Sequence, residues 1–554
     1  YKAAREGSQE IYFAVISTSI TLAVVFLPII FLEGFVGRLF REFGIVVAGA
    51  VLISAFVSLT LTPILNVKFS RKVFSHSWFY RKTEPFYIWL EESYHGALRF
   101  FLRTKILAWV VLLVCFGSIY YFGKNLKSEL APLEDRSQFR LSLTAPEGSS
   151  YEYMDQYIDK LSQFLLESVP EKNIILSVTA PSFIGSGAVN TGFIRVVLCD
   201  PNKRQRSQDQ IVQVVSKSLS KFPEGKAFPI QEQTISVNRR GGLPVQFVIQ
   251  HVDFNKIKEI LPKFIEEANK NPVFQQVDVD LKFNKPELHV EIDRPKAASL
   301  GVSIEEIGQT IQLAYSNRRV GYFTKDGKQY QVIGQIEKNE RDEPADLKLL
   351  YVKSKSGQLI ALDNLVTLNE ATSTPTIYHF NRYKSATISA GLASGKSLGE
   401  GIKAMEDIGK KLLDPSFSTA LSGPSRDFKE SSINVGFAFI LALILIFLIL
   451  AAQFESFSDP IIIMITVPLA MAGALFSLWF FDLTINIFSQ IGMIMLIGLV
   501  TKNGILIVDF ANKKRMLGIE KNVAILEAAT QRMRPILMTS LAMALGALPL
   551  ALSF

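Results

Sequence analysis

Lys502 places an ammonium group inside the apolar run Ile487 to Ala511 (IFSQIGMIMLIGLVTKNGILIVDFA), where no acidic residue precedes it and only Asp509 follows. A run of roughly 20 apolar residues reads as a membrane span, and a charge near its middle costs about 2.5–3.5 kcal/mol on insertion scales. Lys502 lies nine residues from the nearer end, or about 13 Å at 1.5 Å per residue, further than a lysine stem comfortably snorkels. Such a charge requires a partner. An intramembrane carboxylate is the economical one, and the other apolar runs contain none. The counter-ion is therefore expected outside these 554 residues. The chain opens without Met on YKAAREGSQE and stops within PILMTSLAMALGALPLALSF, so both ends are expected to be cuts in a longer polypeptide.

Seven apolar runs could position such a group: Ile11 to Leu32, Phe43 to Leu65, Ile106 to Lys124, Ile433 to Phe454, Pro460 to Phe481, Ile487 to Ala511 and Pro535 to Phe554. A hydrophobic fraction of 49% beside 20% charged residues excludes an ordinary soluble protein. The loop 66–105 carries eight Lys and Arg against three Glu, and the loop 512–534 six against two. By the positive-inside rule both are cytoplasmic, so the polar block between the third and fourth runs lies across the membrane. Anchoring to membrane lipid thus accounts for part of the net charge of +8, and nucleic acid is not needed as a partner. The aromatic and charged stretch Ser77 to Phe101 is too polar to span and reads as a helix on the cytoplasmic membrane surface, with a plain linker helix as the alternative. Cys115 and Cys199 fall in different compartments, so no disulfide is expected between them.

The polar block reads as repeated strand and helix units. Gln138 to Ala145, Tyr151 to Ser168, Asn173 to Thr179, Gly192 to Leu198 and Ser207 to Phe222 run strand, helix, strand, strand, helix, which is the split βαβ order. A second copy starts at Val245 to Gln250, continues through Asn255 to Asn269 and Val277 to Leu281, and resumes with Ser385 to Ala390 and Ser397 to Leu412. Between its halves sits an insert with the expected strands LHVEI, QYQVIGQI and LKLLYV, and a helix Ser303 to Tyr315 that Ser303 and Glu306 would cap. The fold class expected is a membrane protein: an α-helical transmembrane bundle with α+β extramembrane split-βαβ subdomains.

Four stretches, GLVTKNGILIVDFAN (Gly498 to Asn512), QRMRPILMTSLAMALGALPL (Gln531 to Leu550), LAAQFESFSDP and VFLPIIFLEGFVGRLFREF, resemble resistance-nodulation-division (RND) efflux pumps, closest to the hydrophobe/amphiphile multidrug branch. The resemblance covers essentially the whole chain, from the fifth to the eleventh of the family's twelve spans. It implies a proton-driven antiporter of the bacterial inner membrane, without enzymatic turnover and without a cofactor. It also implies a homotrimer, joined to a periplasmic adaptor (membrane fusion) protein and an outer-membrane channel, that exports small amphiphilic substrates. On this pattern residues 1–65 hold spans five and six, 66–105 a cytoplasmic loop, and 106–124 span seven. Residues 125–244 form a first periplasmic porter subdomain, 245–286 with 383–430 a second, 287–382 an inserted docking subdomain, and 431–554 spans eight to eleven.

In the family a lysine of the tenth span pairs with two aspartates of the fourth. Lys502 occupies the matching place, followed by Asn503, while Thr539 and Arg532 match polar positions of the eleventh span and its cytoplasmic entrance. The relay aspartates would belong to a missing N-terminal half. Ionised, they would hold the Lys502 ammonium; neutralised by a proton, they would release it toward acceptors such as Thr539, and helices would shift. Alternatives stand beside each assignment: Lys502 as a static bridge, Thr539 satisfied by its own backbone, Arg532 as a charge anchor, and Asp509 as a solvated group near the cytoplasmic end. For substrate, the resemblance points to the loop Ala180 to Gly192, with Phe183, Ile184, Gly185 and Gly187, and to Phe247 and Ile249 as cleft positions, the competing reading of the last two being sheet core. The Gly185/Gly187 pair lacks the Lys-Ser/Thr of a phosphate loop.

No metal site is expected, because His251, His289, His379, Met154, Met405 and Cys199 are scattered through the block, which disfavours a heavy-metal exporter of the same family. A protein-export accessory factor would share the membrane architecture but lack the inserted subdomain. A lipid sensor would have no use for an intramembrane lysine.

Overall fold

The computed structural model describes residues 2–69, 78–181, 188–231, 243–316, 318–374, 376–393 and 395–552. Apolar length builds the first helices. α1 (Lys2–Val25) gives way at Phe26 to the short α2 (Leu27–Ile30), where Pro28 has no N–H to continue the preceding turn. Gly34 then takes a φ of 77°, open to glycine and strained for other residues, as the chain reverses into α3 (Gly34–Phe69). α3 is longer than the apolar run Phe43 to Leu65, because the polar stretch before it is helical too. α4 (Trp78–Arg103) and α5 (Lys105–Asn125) follow.

The first α/β unit comprises β1 (Gln138–Thr144), α6 (Tyr151–Ser168), β2 (Lys172–Thr179), β3 (Thr191–Leu198), α7 (Gln208–Ser218) and β4 (Lys226–Ile230). They form one antiparallel sheet in the order β2-β3-β1-β4. Ser150 and Ser207 cap the two helices by accepting from Tyr153 N and Gln210 N. Alternation in β1 turns Phe139, Leu141 and Leu143 into a core shared with Met154, Ile158 and Leu161 of α6.

The second unit opens with β5 (Val245–His251), α8 (Phe254–Lys270) and β6 (Phe274–Val279). The insert follows with β7 (Lys285–Ile292), α9 (Arg294–Ser299), α10 (Ile304–Tyr315), β8 (Arg318–Lys325), β9 (Lys328–Gly334), β10 (Tyr351–Lys353), β11 (Leu359–Ala361) and β12 (Val366–Ser373). Its strands pair β7 with β12, β8 with β9 and β10 with β11, and Ser303 caps α10 by accepting from Glu306 N. The expected strand LKLLYV is corrected. Pro344 starts a 3-10 turn through Leu349, and only Tyr351–Lys353 pairs. The second unit resumes with β13 (Tyr378–Phe380), β14 (Tyr383–Leu392), α11 (Leu398–Leu412) and β15 (Ser418–Leu421), giving a sheet ordered β13-β14-β5-β15 with β6 also on β14. β13 lies within the bounds expected for the insert, yet pairs with the second unit.

α12 (Gly423–Phe454) rises without interruption from that unit into the apolar region, followed by α13 (Ser458–Met464), α14 (Thr466–Phe480), α15 (Ile487–Met516) and α16 (Lys521–Leu552). Among the described residues six helical stretches are long and apolar enough to cross a membrane: Tyr12–Ile30, Gly37–Phe69, Lys105–Asn125, Gly423–Phe454, Ser458–Phe480 and Ile487–Met516. The seventh expected run falls on α16 and continues past the described residues. Phe13 near the start of α1 meets Phe454 at the end of α12, and Phe40 near the start of α3, just past the end of α1, meets Phe488 at the start of α15, so α1 runs antiparallel to both α12 and α15. At the foot of α16 Arg534 donates to Glu84 and Glu91 of α4, both at 3.1 Å, and α4 turns exposed Trp78, Phe86, Trp89 and Phe100 outward.

The packing of β3 yields a stability test. A Cβ on Gly192 would sit 2.4 Å from Ile158 Cδ1 and 2.8 Å from the Val178 carbonyl oxygen, the second a backbone atom of the paired strand. Gly192→Ala is expected to destabilise the first unit by about 1–3 kcal/mol through overpacking. A lowered thermal unfolding temperature of the purified protein checks it.

Candidate functional site

α15 owes its start to Asn486, whose side chain accepts from Ser489 N while Ser489 Oγ accepts from Asn486 N. It packs against α1, α12, α13, α14 and α16. Two glycines allow close approach: a Cβ on Gly498 would meet Leu22 Cδ1 at 2.9 Å and Val25 Cγ2 at 3.0 Å, and one on Gly504 would meet Ile463 Cγ2 at 3.1 Å. One turn beyond Gly498, Lys502 is half-buried and makes no ion pair or hydrogen bond among the described residues. The antiparallel partner α1 carries buried Ser17, Thr18 and Thr21, within the five residues that precede Leu22. Lys502 therefore lies at the depth of these hydroxyls. Thr21 and Thr18 donate to Ser17 O (2.8 Å) and Val15 O (3.1 Å), while Ser17 Oγ is buried without a hydrogen-bond partner among the described residues.

The other expected relay residues are placed as follows. Asn503 Oδ1 is buried and unpartnered among the described residues. Arg532 lays its guanidinium over the Phe510 ring, 4.4 Å from the centroid, and its Nε is likewise buried and unpartnered. Thr539 donates to Ile536 O at 3.1 Å, so its hydroxyl is satisfied by its own helix. Asp509, expected to be solvated, is buried and pairs with Lys513 at 2.9 Å, because the end of α15 stays packed against its neighbours. The hydroxyl cluster of α1 escaped the sequence reading. Its signal was the run ISTSIT, Ile16 to Thr21, inside an apolar span.

A second candidate site is a cleft of about 1330 Å³ between the first and second α/β units. Its walls are α7 and β4 on one side and the ends of β5, β6 and β14 on the other; the starts of α11 and α12 and the segment after α5 complete it. Gln213, Gln231, Gln246, Gln275 and Gln276 alternate there with apolar groups such as Phe228 and Leu243. Gln208 fixes the α7 wall: its Oε1 accepts from Arg136 N (3.1 Å) and Gln138 N (3.0 Å), and its Nε2 donates to Gln231 (2.9 Å). Burial pushes the Glu129 carboxyl in this lining upward, opposed by a hydrogen bond from Thr484 and by Lys127. Charged groups of both signs, among them Arg136, Lys217, Lys226 and Asp427, share the lining with the amides and the apolar side chains, so the cavity suits a molecule that has both polar and apolar parts.

Phe247 and Ile249 do not line this cleft, which corrects the cleft assignment. They are 2% and 0% exposed, and Phe247 stacks on Phe264 of α8 and reaches Gly409 of α11. α8 and α11 cover that face of the sheet, and Gln246 at the strand's start faces the cavity instead. Phe183, Ile184, Gly185 and Gly187 lie outside the described residues.

The family model for AcrB/AcrD/AcrF matches residues 1–554. The chain belongs to the AcrB/AcrD/AcrF family. An uncharacterized transporter of Haemophilus influenzae is 30% identical over 99% of this chain and 53% of its own length. Multidrug resistance protein MdtC of Proteus mirabilis is 28% identical over 100% of this chain and 54% of its own length. The chain thus spans about half the length of the curated relatives it matches. Its family is one of membrane transporters and not of enzymes.

Since Phe247 belongs to the core, Phe247→Ala is expected to cost about 3–5 kcal/mol of folding stability. The check is thermal unfolding beside Phe228→Ala, whose half-buried ring on the cleft wall should lower stability much less.

Proposed function

We propose that the chain is part of a proton-motive-force-driven exporter of amphiphilic compounds, seated in the bacterial inner membrane with its α/β units in the periplasm. The observation that carries this reading is Lys502, a half-buried ammonium in the middle of a span with no counter-ion among the described residues. A carboxylate supplied by the rest of the transporter would hold it when ionised and release it when protonated. The hydroxyl cluster of α1 and the amide of Asn503 offer acceptors for the released state. Each proton crossing the membrane contributes about 2.3 kcal/mol per 100 mV, enough to reset a bistable helix contact.

Substrate enters this scheme at the cleft. Its volume, its amides and its apolar patches fit a molecule with a greasy body and a polar head. The relative named for multidrug resistance favours a broad substrate range. We further propose a homotrimer working with a periplasmic adaptor and an outer-membrane channel.

Two measurements test the scheme in the intact transporter. Lys502→Ala should raise accumulation of a fluorescent amphiphile to the level of cells lacking the transporter; undiminished export would sink the relay role. Phe228→Ala should raise KM for an aromatic amphiphile by about threefold to tenfold while kcat holds, the magnitude of one lost ring contact. An unchanged KM would remove the cleft from the substrate path.

A further inference from the structure

The segment joining α5 to β1 is held from two sides. Ile485 N–H donates to Lys127 O at 2.8 Å, Glu129 N–H to Ile485 O at 3.0 Å, and Ile487 N–H to Leu130 O at 3.3 Å. Residues 127–130 therefore run parallel to the turn from which α15 starts. On the other side Gly399, in the first turn of α11, donates its N–H to Ser128 O at 3.1 Å. The approach is close: a Cβ on Gly399 would lie 2.4 Å from Ser128 Oγ and 3.3 Å from Ser128 O. Thr484 Oγ1 donates to Glu129 Oε1 at 2.5 Å and also lies 3.3 Å from Asn486 Nδ2, the side chain that caps α15.

Leu130 is 1% exposed and belongs to a buried apolar cluster that runs from Ile487 and Ile491 of α15 to Leu398 and Ile402 of α11. Glu129 and Leu130 also line the cleft, with Leu398, Pro424 and Asp427 beside them. One four-residue strip thus touches the start of the lysine-bearing helix, the second α/β unit and the candidate substrate cavity.

We infer that residues 127–130 are a mechanical joint that carries displacement of α15 into the cleft lining, with Thr484 and Glu129 as positioning residues that lock it through their hydrogen bond. The inference rests on the reading of Lys502 as the energised group. A shift of α15 on the scale of 1–2 Å, common at packed helix contacts, cannot be absorbed locally. It must either break three backbone hydrogen bonds or take the strip along. Close packing around Leu130 leaves no slack, since protein interiors respond by switching arrangement and not by compressing. The side-chain lock fixes the register of strip against turn, so that motion arrives at Glu129 undiminished.

The test uses the intact transporter reconstituted in proteoliposomes, with a fluorescent cationic amphiphile as substrate. Thr484→Val keeps the shape and removes the donor. Turnover and substrate-coupled proton flux should both fall by about tenfold, the effect of one lost hydrogen bond to a charged group. Binding affinity measured without a proton gradient should stay within about twofold, because Thr484 lies outside the cleft lining. Thr484→Ser, which keeps the hydroxyl, should restore turnover. Lys502→Ala is run in parallel. If Thr484→Val pumps like wild type while Lys502→Ala is inactive, the joint is wrong and the relay stands. If both pump like wild type, the relay reading fails and takes the joint with it. Loss of affinity together with turnover, unrescued by serine, would reduce Thr484 to a folding residue and overturn the inference.

Discussion

An ammonium group in hydrocarbon is the constraint to which the membrane part answers. Lys502 cannot reach water along its own helix, so the surroundings must supply polarity, and they do so unevenly. Antiparallel to it, α1 places Ser17, Thr18 and Thr21 where an ordinary span would place aliphatic groups, each at most 7% exposed. Gly498 lets the two helices approach until Leu22 and Val25 touch the backbone cylinder of α15. Small residues at helix contacts and hydroxyls between helices are the usual means of joining spans in lipid. Here they also set the distance at which a charge on one helix is felt by dipoles on its neighbour.

The soluble block is not hung loosely on this bundle. α12 runs unbroken from the second α/β unit into the apolar region, and Ser425 near its start both accepts from Gln246 N (2.9 Å) and donates to Pro244 O (3.2 Å). The strip 127–130 ties the start of α15 to the same unit. Both attachments reach the second unit, whose core is continuous with that of the spans, whereas the first unit keeps a separate core. The cleft lies along the boundary between the second unit, whose core runs on into the membrane helices, and the first, which keeps its own core and meets the second through side-chain pairs such as Lys226 with Asp278 (3.7 Å) and Gln275 with Ser216 (3.1 Å). Relative movement of the two is the natural way for such a cleft to change volume.

Much of this architecture was legible in the sequence, for reasons that differ by element. The spans were legible because apolar length alone decides them, although the break at Pro28 and the full extent of α3 were not, since helix continuation through polar residues carries no hydropathy signal. Both split βαβ units followed from strand alternation and helical periodicity. The orientation of β5 did not. In VQFVIQ nearly every side chain is buried, because helices cover one face while the other meets neighbouring structure, so alternation could not say which face looks into a cavity. The cleft itself arises between two units, and no single segment encodes it. The family resemblance gave the positions of Lys502, Asn503, Arg532 and Thr539, but not their partners.

On the proposed relay those partners rank the four positions. Thr539 spends its hydroxyl on Ile536, which makes it the weakest relay candidate of the four. Arg532 has exchanged water for the face of Phe510, a contact that holds a cation without neutralising it. Asn503 and Ser17 keep buried polar atoms that nothing among the described residues satisfies, at about 1–3 kcal/mol for each. A protein that only needed to bury α15 would gain by replacing them with aliphatic side chains. On the proposed relay they are the acceptors to which a released Lys502 would turn, since a group satisfied in one state has nothing to offer in the other. An acceptor left open in one arrangement of the helices is what lets the second arrangement compete with it in energy.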